Sequence, residues 1–101
     1  MKRRVRPAFY LDIAHEELWL LEHAGAEVAD RWHEARWNTF DFLENYPFLG
    51  RERHDLKYRG TRSWRIKDFE RWLIFYSAHD DTIVFYRVVP GTMNLFSLPL
   101  Q

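Results

Sequence analysis

Five cationic side chains fall on stretches with a strand-like pattern, and together they suggest chemistry on a phosphate. They are Arg62, Arg65, Lys67, Arg71 and Arg87. Cleaving RNA through its 2′-hydroxyl needs a base for that hydroxyl, a cation for the charge that develops on phosphorus and an acid for the leaving oxygen. Arginine supplies only the cation, because its guanidinium is effectively always protonated and serves poorly as a base. The predicted strands therefore offer charge stabilisation without an evident group for proton transfer.

A second interpretation of Arg62 and Arg65 is structural. Either could pair near the surface with a carboxylate such as Asp55, Asp68 or Glu70, and such pairs contribute little to stability. From the residues alone, nucleic-acid binding and surface ion pairing both stay open.

The five histidines are the other candidates for acid–base or metal chemistry. His54 falls in a predicted loop and His79 in a predicted turn, so each is either a solvated loop residue or a group recruited to the sheet. His15, His23 and His33 lie on predicted helices among many acids. No second histidine stands four residues from any of them, and His15 does not begin an H-E-x-x-H zinc pattern. We therefore expect no metal and no cofactor, and interpret the acids as a solvated helix surface.

The chain opens with a short apolar stretch from Val5 to Tyr10. Because Pro7 cannot donate a sheet hydrogen bond, this stretch predicts a strand that lies at an edge of the sheet or has its Pro7 amide position facing out. Asp12 then stands where it could cap a helix. Apolar residues spaced four and three apart mark that helix, namely Ala14, Leu18 and Leu21. We expect these three to face the core and the helix to stop near Gly25.

A second helix gives the strongest periodic signal, from about Ala26 to Asn45. Its apolar positions recur at steps of three and four and are Val28, Trp32, Ala35, Thr39, Phe42 and Leu43. Pro47 ends it, since the residue before a proline is pushed out of the helical region. The short connection at Gly25 predicts an antiparallel helical hairpin with acidic outer faces.

After a predicted loop from Phe48 to Gly60 the period changes to two. Trp64 and Ile66 alternate with polar residues, which predicts a half-buried strand. Trp72–Tyr76 is apolar on both faces, as in a central strand, and Ile83–Val89 follows a short polar turn and predicts its antiparallel neighbour. The order of N-terminal strand, helical hairpin and three-stranded antiparallel meander predicts an α+β fold with both helices on one face of the sheet.

Composition limits the class of protein. The 101 residues are 47% hydrophobic, which fits a single domain over residues 1–101. Net charge is zero, which excludes a uniformly basic nucleic-acid binder, although residues 1–6 carry +4 and residues 12–45 carry −7. There is no cysteine, and the longest apolar runs are far shorter than the roughly 20 residues that span a bilayer. We expect a cytoplasmic protein without a membrane partner.

Two tryptophans are candidates for an interaction surface. Most of the five tryptophans should be core, because aromatic side chains bury large apolar areas. Trp19 and Trp37, however, fall off the main apolar faces of their predicted helices. Each could therefore mark an exposed patch that a partner covers.

Several short segments occur in a characteristic order along nearly the whole chain. The most distinctive is WLIFY at Trp72–Tyr76, a polar turn, and then IVFYRVV at Ile83–Val89. The others are Ala14, Glu17, Leu18, Ala29, Trp32, Leu43, Tyr46, Pro47, Leu49, Gly50, Arg51 and Arg62. Jointly these segments resemble the RelE/ParE superfamily of bacterial toxins from type II toxin–antitoxin pairs.

The resemblance implies a RelE/ParE-like fold, a cognate antitoxin and one of two activities. RelE-like members are ribosome-dependent messenger-RNA endonucleases, whereas ParE-like members act by binding DNA gyrase. Arg87 matches the arginine of the family's last strand, but Pro90 and Gly91 stand where a histidine is common in the nucleases. No tyrosine follows Tyr86 near the C-terminus, and Leu73 occupies a position where nucleases often carry arginine.

These departures favour a ParE-like toxin that acts by protein binding. The resemblance then implies target binding by Arg87, Met93, Asn94, Leu95 and Phe96, although Met93 and Asn94 replace the arginine and aspartate usual there. It also implies an antitoxin that covers Trp19 and Trp37. Two alternatives stay open: a RelE-like nuclease using Arg62, Arg65 and Arg87 on messenger RNA at the ribosome, and a degenerate member that binds antitoxin without toxicity. In the ParE-like interpretation, the apolar tail either packs on the sheet or binds the target.

Overall fold

The computed structural model of the chain describes residues 1–56, 60–92 and 99–100. Two helices pack on one face of a five-stranded sheet with the strand order β1-β5-β4-β3-β2. The helices are α1 (Pro7–His23) and α2 (Ala26–Asn45), and the strands are β1 (Lys2–Val5), β2 (Arg51–Glu52), β3 (Arg62–Ile66), β4 (Phe69–His79) and β5 (Thr82–Pro90). The predicted α+β fold is confirmed. Over the described residues, neither helix combines the length and the hydropathy that a membrane span requires.

The N-terminal strand is shorter and earlier than predicted. β1 runs parallel to β5 at the edge of the sheet and covers the stretch from Thr82 to Phe85. The predicted strand from Val5 to Tyr10 is wrong, because Pro7 begins α1 instead of interrupting a strand. Proline is favoured in the first turn of a helix, where its missing N–H has no intrahelical acceptor to lose. The predicted edge position is confirmed.

Of the two apolar faces of α1, one is buried and the other is exposed. Phe9 and Leu20 are buried between the sheet and α2. The prediction that Ala14, Leu18 and Leu21 face the core is wrong, since all three are exposed. Apolar spacing reveals a face of a helix, but not which of two such faces meets the core. We refer to the exposed face as the α1 stripe, which consists of Tyr10, Leu11, Ala14, Leu18 and Leu21.

The helical hairpin and α2 follow the prediction closely. α2 spans Ala26–Asn45, and the turn before it holds Gly25 at φ +92°, a backbone conformation that favours glycine. Among the predicted apolar positions, Trp32, Thr39 and Leu43 are buried, whereas Phe42 is exposed. The helices therefore present one continuous apolar surface to the sheet.

β4 is buried on both faces, as the apolar run predicted. Its side chains alternate between a cluster against the helices and a smaller cluster on the opposite, open face of the sheet. The helix-side cluster includes Phe9, Trp32, Phe40, Leu43, Ile74, Tyr76, Phe85 and Val88. The open-face cluster consists of Leu73, Phe75, Val89 and Leu100. Leu100 is only 2% exposed, so the described end of the tail packs on the sheet.

A buried carboxylate joins α1 to the centre of the sheet. Glu16 is 5% exposed, and its Oε1 accepts a hydrogen bond from the indole Nε1–H of Trp72 at 2.7 Å. Its other oxygen lies 2.5 Å from Nδ1 of His15. The interpretation of the helix acids as a solvated surface is therefore wrong for Glu16. A buried tryptophan N–H needs an acceptor, and this carboxylate supplies one.

The segment that follows α2 is held by a buried tyrosine. The hydroxyl of Tyr76 donates to the Pro47 carbonyl oxygen at 2.8 Å and accepts from the Gly50 N–H at 2.9 Å. A side chain at Gly50 would collide with this hydroxyl, because a Cβ there would stand 2.1 Å from the oxygen. Residue 50 must therefore be glycine for the loop to close on β4.

Tyr76→Phe is expected to lower the free energy of unfolding by about 1–3 kcal/mol, because it leaves a buried N–H and a carbonyl oxygen without their partner. Tyr46→Phe is the matched control, since Tyr46 is 56% exposed. Urea denaturation of both variants measures the difference. Equal losses in the two variants would show that the Tyr76 hydroxyl contributes nothing specific.

Candidate functional site

The three arginines of the nuclease alternative do not converge. Residues 62 and 65 of β3 point to opposite faces of the sheet, because side chains alternate along a strand. Arg62 pairs across the ladder with Tyr76 on the helix side, and Arg65 pairs with Leu73 on the open side. Arg87 lies on β5, separated from β3 by β4. The structure therefore places no shared phosphate site among the three.

Arg62 and Arg65 bind main-chain oxygens. Arg62 Nη1 donates to the carbonyl oxygens of Phe48 at 3.1 Å and Gly50 at 2.9 Å. Arg65 Nη1 donates to the carbonyl oxygen of Glu70 at 2.5 Å. The interpretation in which carboxylates neutralise these two guanidinium groups is therefore wrong. Arg62 instead holds the loop that Tyr76 also holds.

Arg87 is fixed by Asp12. Its Nε donates to Asp12 Oδ2 at 2.6 Å and its Nη2 to Oδ1 at 2.9 Å, a bidentate geometry. The Val88 N–H also donates to Oδ2, at 3.1 Å, and Arg87 Nη1 donates to the Pro99 carbonyl oxygen at 2.9 Å. Both side chains are largely buried, at 15% and 12% exposure. The prediction that Asp12 caps the first helix is wrong, because it lies within α1 and serves the sheet.

A cavity of about 250 Å³ lies on the open face of the sheet and is lined by other cations of this region. Arg51, Arg53 and Arg65 line it together with Leu73. Arg53 is neutralised, since its Nε and Nη2 donate to both oxygens of Asp55 at 2.8 and 2.5 Å. That guanidinium holds the pKa of Asp55 at about 2. The cavity therefore offers positive charge from Arg51 and Arg65, but the described residues that line it include no histidine, tyrosine or carboxylate for proton transfer.

None of the five histidines lines this cavity. His54 and His79 are exposed beside Glu52 and Asp80, at 3.8 and 3.3 Å. His33 Nδ1 lies 2.8 Å from Glu17 Oε1 in the groove between the helices. Within residues 1–56, 60–92 and 99–100, no group of histidines and acids has the arrangement of a metal site.

The two predicted interaction tryptophans differ in exposure. Trp37 is 44% exposed, and its Nε1–H donates to His33 Nε2 at 3.1 Å. The guanidinium groups of Arg3 and Arg36 lie over its ring, 5.0 and 5.2 Å from the ring centroid. Trp19 is half-buried and packs on the core. The assignment of both residues to an antitoxin surface stays a prediction.

Most of the predicted target-binding segment lies outside the described residues, namely Met93, Asn94, Leu95 and Phe96. Arg87 is described, but its ion pair with Asp12 leaves little of it for a partner. Two features were missed by sequence reasoning. No local sequence pattern indicates that Glu16 is buried. The α1 stripe does have a sequence signal, because its residues include the periodic apolar face that the pattern assigns to the core.

A double-mutant cycle on Asp12→Ala and Arg87→Ala is expected to give a coupling of about 1–3 kcal/mol, because the bidentate pair is largely shielded from water. The control cycle uses Lys2 and Asp81, whose charges lie 3.9 Å apart and are 79% and 71% exposed. For that pair the coupling should be about 0–0.5 kcal/mol. Urea denaturation measures both cycles, and a coupling at Asp12–Arg87 no larger than the control contradicts a structural role for the pair.

Three comparisons with known proteins agree. The family described as the ParE toxin of the type II toxin–antitoxin system parDE matches residues 4–95. Toxin ParE3 of Caulobacter vibrioides is 32% identical over 74 residues, which cover 73% of this chain and 70% of that protein. A solved chain described as a chromosomal ParDE TA system from P. aeruginosa has a TM-score of 0.74 at 13% identity, with coverage of 89% of this chain and 95% of that one. The structural likeness supports the fold, and the two sequence matches establish that this chain belongs to the ParE toxin family of type II toxin–antitoxin systems.

Proposed function

We propose that this ParE-family toxin inhibits its cellular target by binding a protein, that the target is DNA gyrase, and that a cognate antitoxin neutralises it in the cytoplasm. Gyrase is inferred from the resemblance to ParE-like toxins. The ion pair between Arg87 and Asp12 is the observation that carries the choice of binding over RNA cleavage. In the nuclease alternative this arginine must reach a phosphate, yet its Nε and Nη2 are bound to a carboxylate.

The other two arginines support the same choice. Arg62 donates to two carbonyl oxygens, and Arg65 lies on the opposite face of the sheet. Among the described residues, no histidine, aspartate or glutamate side chain that could transfer a proton contacts Arg65. Cleavage needs a base and an acid in addition to a cation, so this arrangement favours a surface that binds over a site that reacts.

The α1 stripe supports an antitoxin partner. Leu11, Leu18 and Leu21 are 72%, 57% and 50% exposed on the face of α1 that points away from the core. An apolar helical face of this kind suits an amphipathic helix from a partner, which would remove it from water. Binding only the folded toxin also stabilises it, by about 4 kcal/mol at a thousandfold excess over Kd.

The purified chain is expected to inhibit plasmid supercoiling by DNA gyrase and to leave messenger RNA intact on programmed ribosomes. Supercoiling assays and primer extension on ribosome-bound messenger RNA measure the two activities. Cleavage in the ribosomal A site that is lost in Arg87→Ala would establish the nuclease alternative. A chain that does neither and does not arrest growth would be a degenerate member.

The candidate antitoxin encoded beside this chain is expected to raise its melting temperature by more than about 10 °C. Leu18→Asp should remove most of that rise, because it places a charge in the centre of the α1 stripe. Phe48→Asp is the matched control, since Phe48 is 62% exposed in the loop that leads from α2 to β2, at the opposite edge of the sheet from β1. Differential scanning calorimetry measures all three chains with and without the antitoxin, and an unchanged rise in Leu18→Asp contradicts docking on α1.

A further inference from the structure

One edge of β3 is open along its second half. β2 pairs only with Arg62 and Ser63. The Arg53 N–H donates to the Thr61 carbonyl oxygen at 2.8 Å, on the same side as β2. Because main-chain groups alternate sides along a strand, those of Ser63 and Arg65 also point to that side. No strand of the described chain continues β2 past Ser63, so the main chain of Arg65 stands at an open edge.

Two cavities meet at this open edge, one on each face of the sheet. On the helix side, a cleft of about 430 Å³ lies between α2 and β3. Its walls include the stacked rings of Phe42 and Trp64, whose centroids are 5.6 Å apart. On the open face lies the cavity of about 250 Å³ that holds Arg51. Trp64 and Arg65 line both cavities, so an extended chain along this edge reaches both.

Three exposed cations at this edge, Arg51, Arg65 and Lys67, form no ion pair with the described residues. Lys67 lines the apolar cleft and Arg51 lines the open-face cavity. Within the described ranges, neither has a carboxylate within 4.0 Å, and Arg65 binds only a carbonyl oxygen. Arg53 differs, because Asp55 already neutralises it. Charge complementarity therefore favours an acidic partner at this edge.

We infer that the open edge of β3 binds an extended acidic segment of a protein partner as an added strand. Successive side chains of a strand point to opposite faces, so the segment must alternate apolar and acidic residues. Its apolar side chain enters the cleft that Phe42 and Trp64 line, and the next, acidic side chain faces Arg51 and Arg65. This site lies at the opposite edge of the sheet from β1, and it shares no residue with the α1 stripe.

Synthetic peptides test the inference directly. The probe is a fluorescent, amidated octapeptide of alternating valine and glutamate, and it is compared with an alternating valine–lysine peptide and with a block peptide of the same valine–glutamate composition. Fluorescence anisotropy measures Kd, and 15N-resolved NMR locates the binding. We expect the alternating acidic peptide to bind at least about tenfold more tightly than either control, with shifts at the Arg65 amide and the Trp64 indole.

Two variants are expected to weaken binding of the alternating acidic peptide about tenfold. Lys67→Glu reverses a charge at the rim, and Asn38→Trp fills the cleft from an exposed position on α2. Arg4→Glu is the matched charge reversal on β1, at the other edge of the sheet, and should leave Kd unchanged. Circular dichroism confirms that each variant is folded.

Several outcomes overturn the inference. If no peptide binds, the cations serve only to protect an exposed strand edge from pairing. Equal binding of the acidic and basic peptides, or shifts confined to the α1 stripe, also contradicts it. If the chain alone forms a dimer in sedimentation and Asn38→Trp abolishes that dimer, the edge is occupied by a second copy and the inference is wrong.

Discussion

The carboxylate of Asp12 accepts a main-chain hydrogen bond from the part of β5 that the short strand β1 leaves unpaired. β5 has nine residues, but β1 covers only its first four, so the remaining edge needs other hydrogen-bond partners. Asp12 accepts from the Val88 N–H just beyond the end of β1 and holds the Arg87 guanidinium beside it. The same bonds attach α1 to the sheet at this edge. Together with the hydrogen bond between Glu16 and Trp72, these bonds fix the orientation of α1 and therefore the exposure of the α1 stripe.

The same interaction explains why Arg87 matches the arginine of the superfamily's last strand without being free to meet a phosphate. A cation that stabilises a phosphorane must be free to meet a phosphate, whereas a cation that secures a sheet edge must stay on its carboxylate. A bidentate, largely buried pair is costly to break, because separation leaves two charges in a poorly hydrated site. In this chain Arg87 serves the fold, whereas Arg51, Arg65 and Lys67 keep their charges exposed near the other edge of the sheet.

The elements that could be predicted from the sequence are those whose pattern has one interpretation. α2 carries a single apolar face between Gly25 and Pro47, and its predicted bounds match the structure. The opposite faces of Arg62 and Arg65 also follow from their spacing along a strand. The prediction for α1 is wrong because this helix is apolar on two faces, and its contacts with the rest of the fold decide which face is buried. Asp12 and Arg87 are 75 positions apart, and Glu16 and Trp72 are 56 apart, so no local pattern reveals either pair.

The two surfaces assigned to partners lie toward opposite ends of the sheet. β1 and β3 are separated by β5 and β4, three strand spacings or about 14 Å, and the α1 stripe faces away from the sheet. A single helix on α1 therefore cannot also fill the cleft at Phe42 and Trp64. A partner that occupies both surfaces must pass around the molecule in an extended form. If no partner does so, the two surfaces leave room for two different partners at once. A partner on α1 then excludes a strand from the β3 edge only by steric overlap.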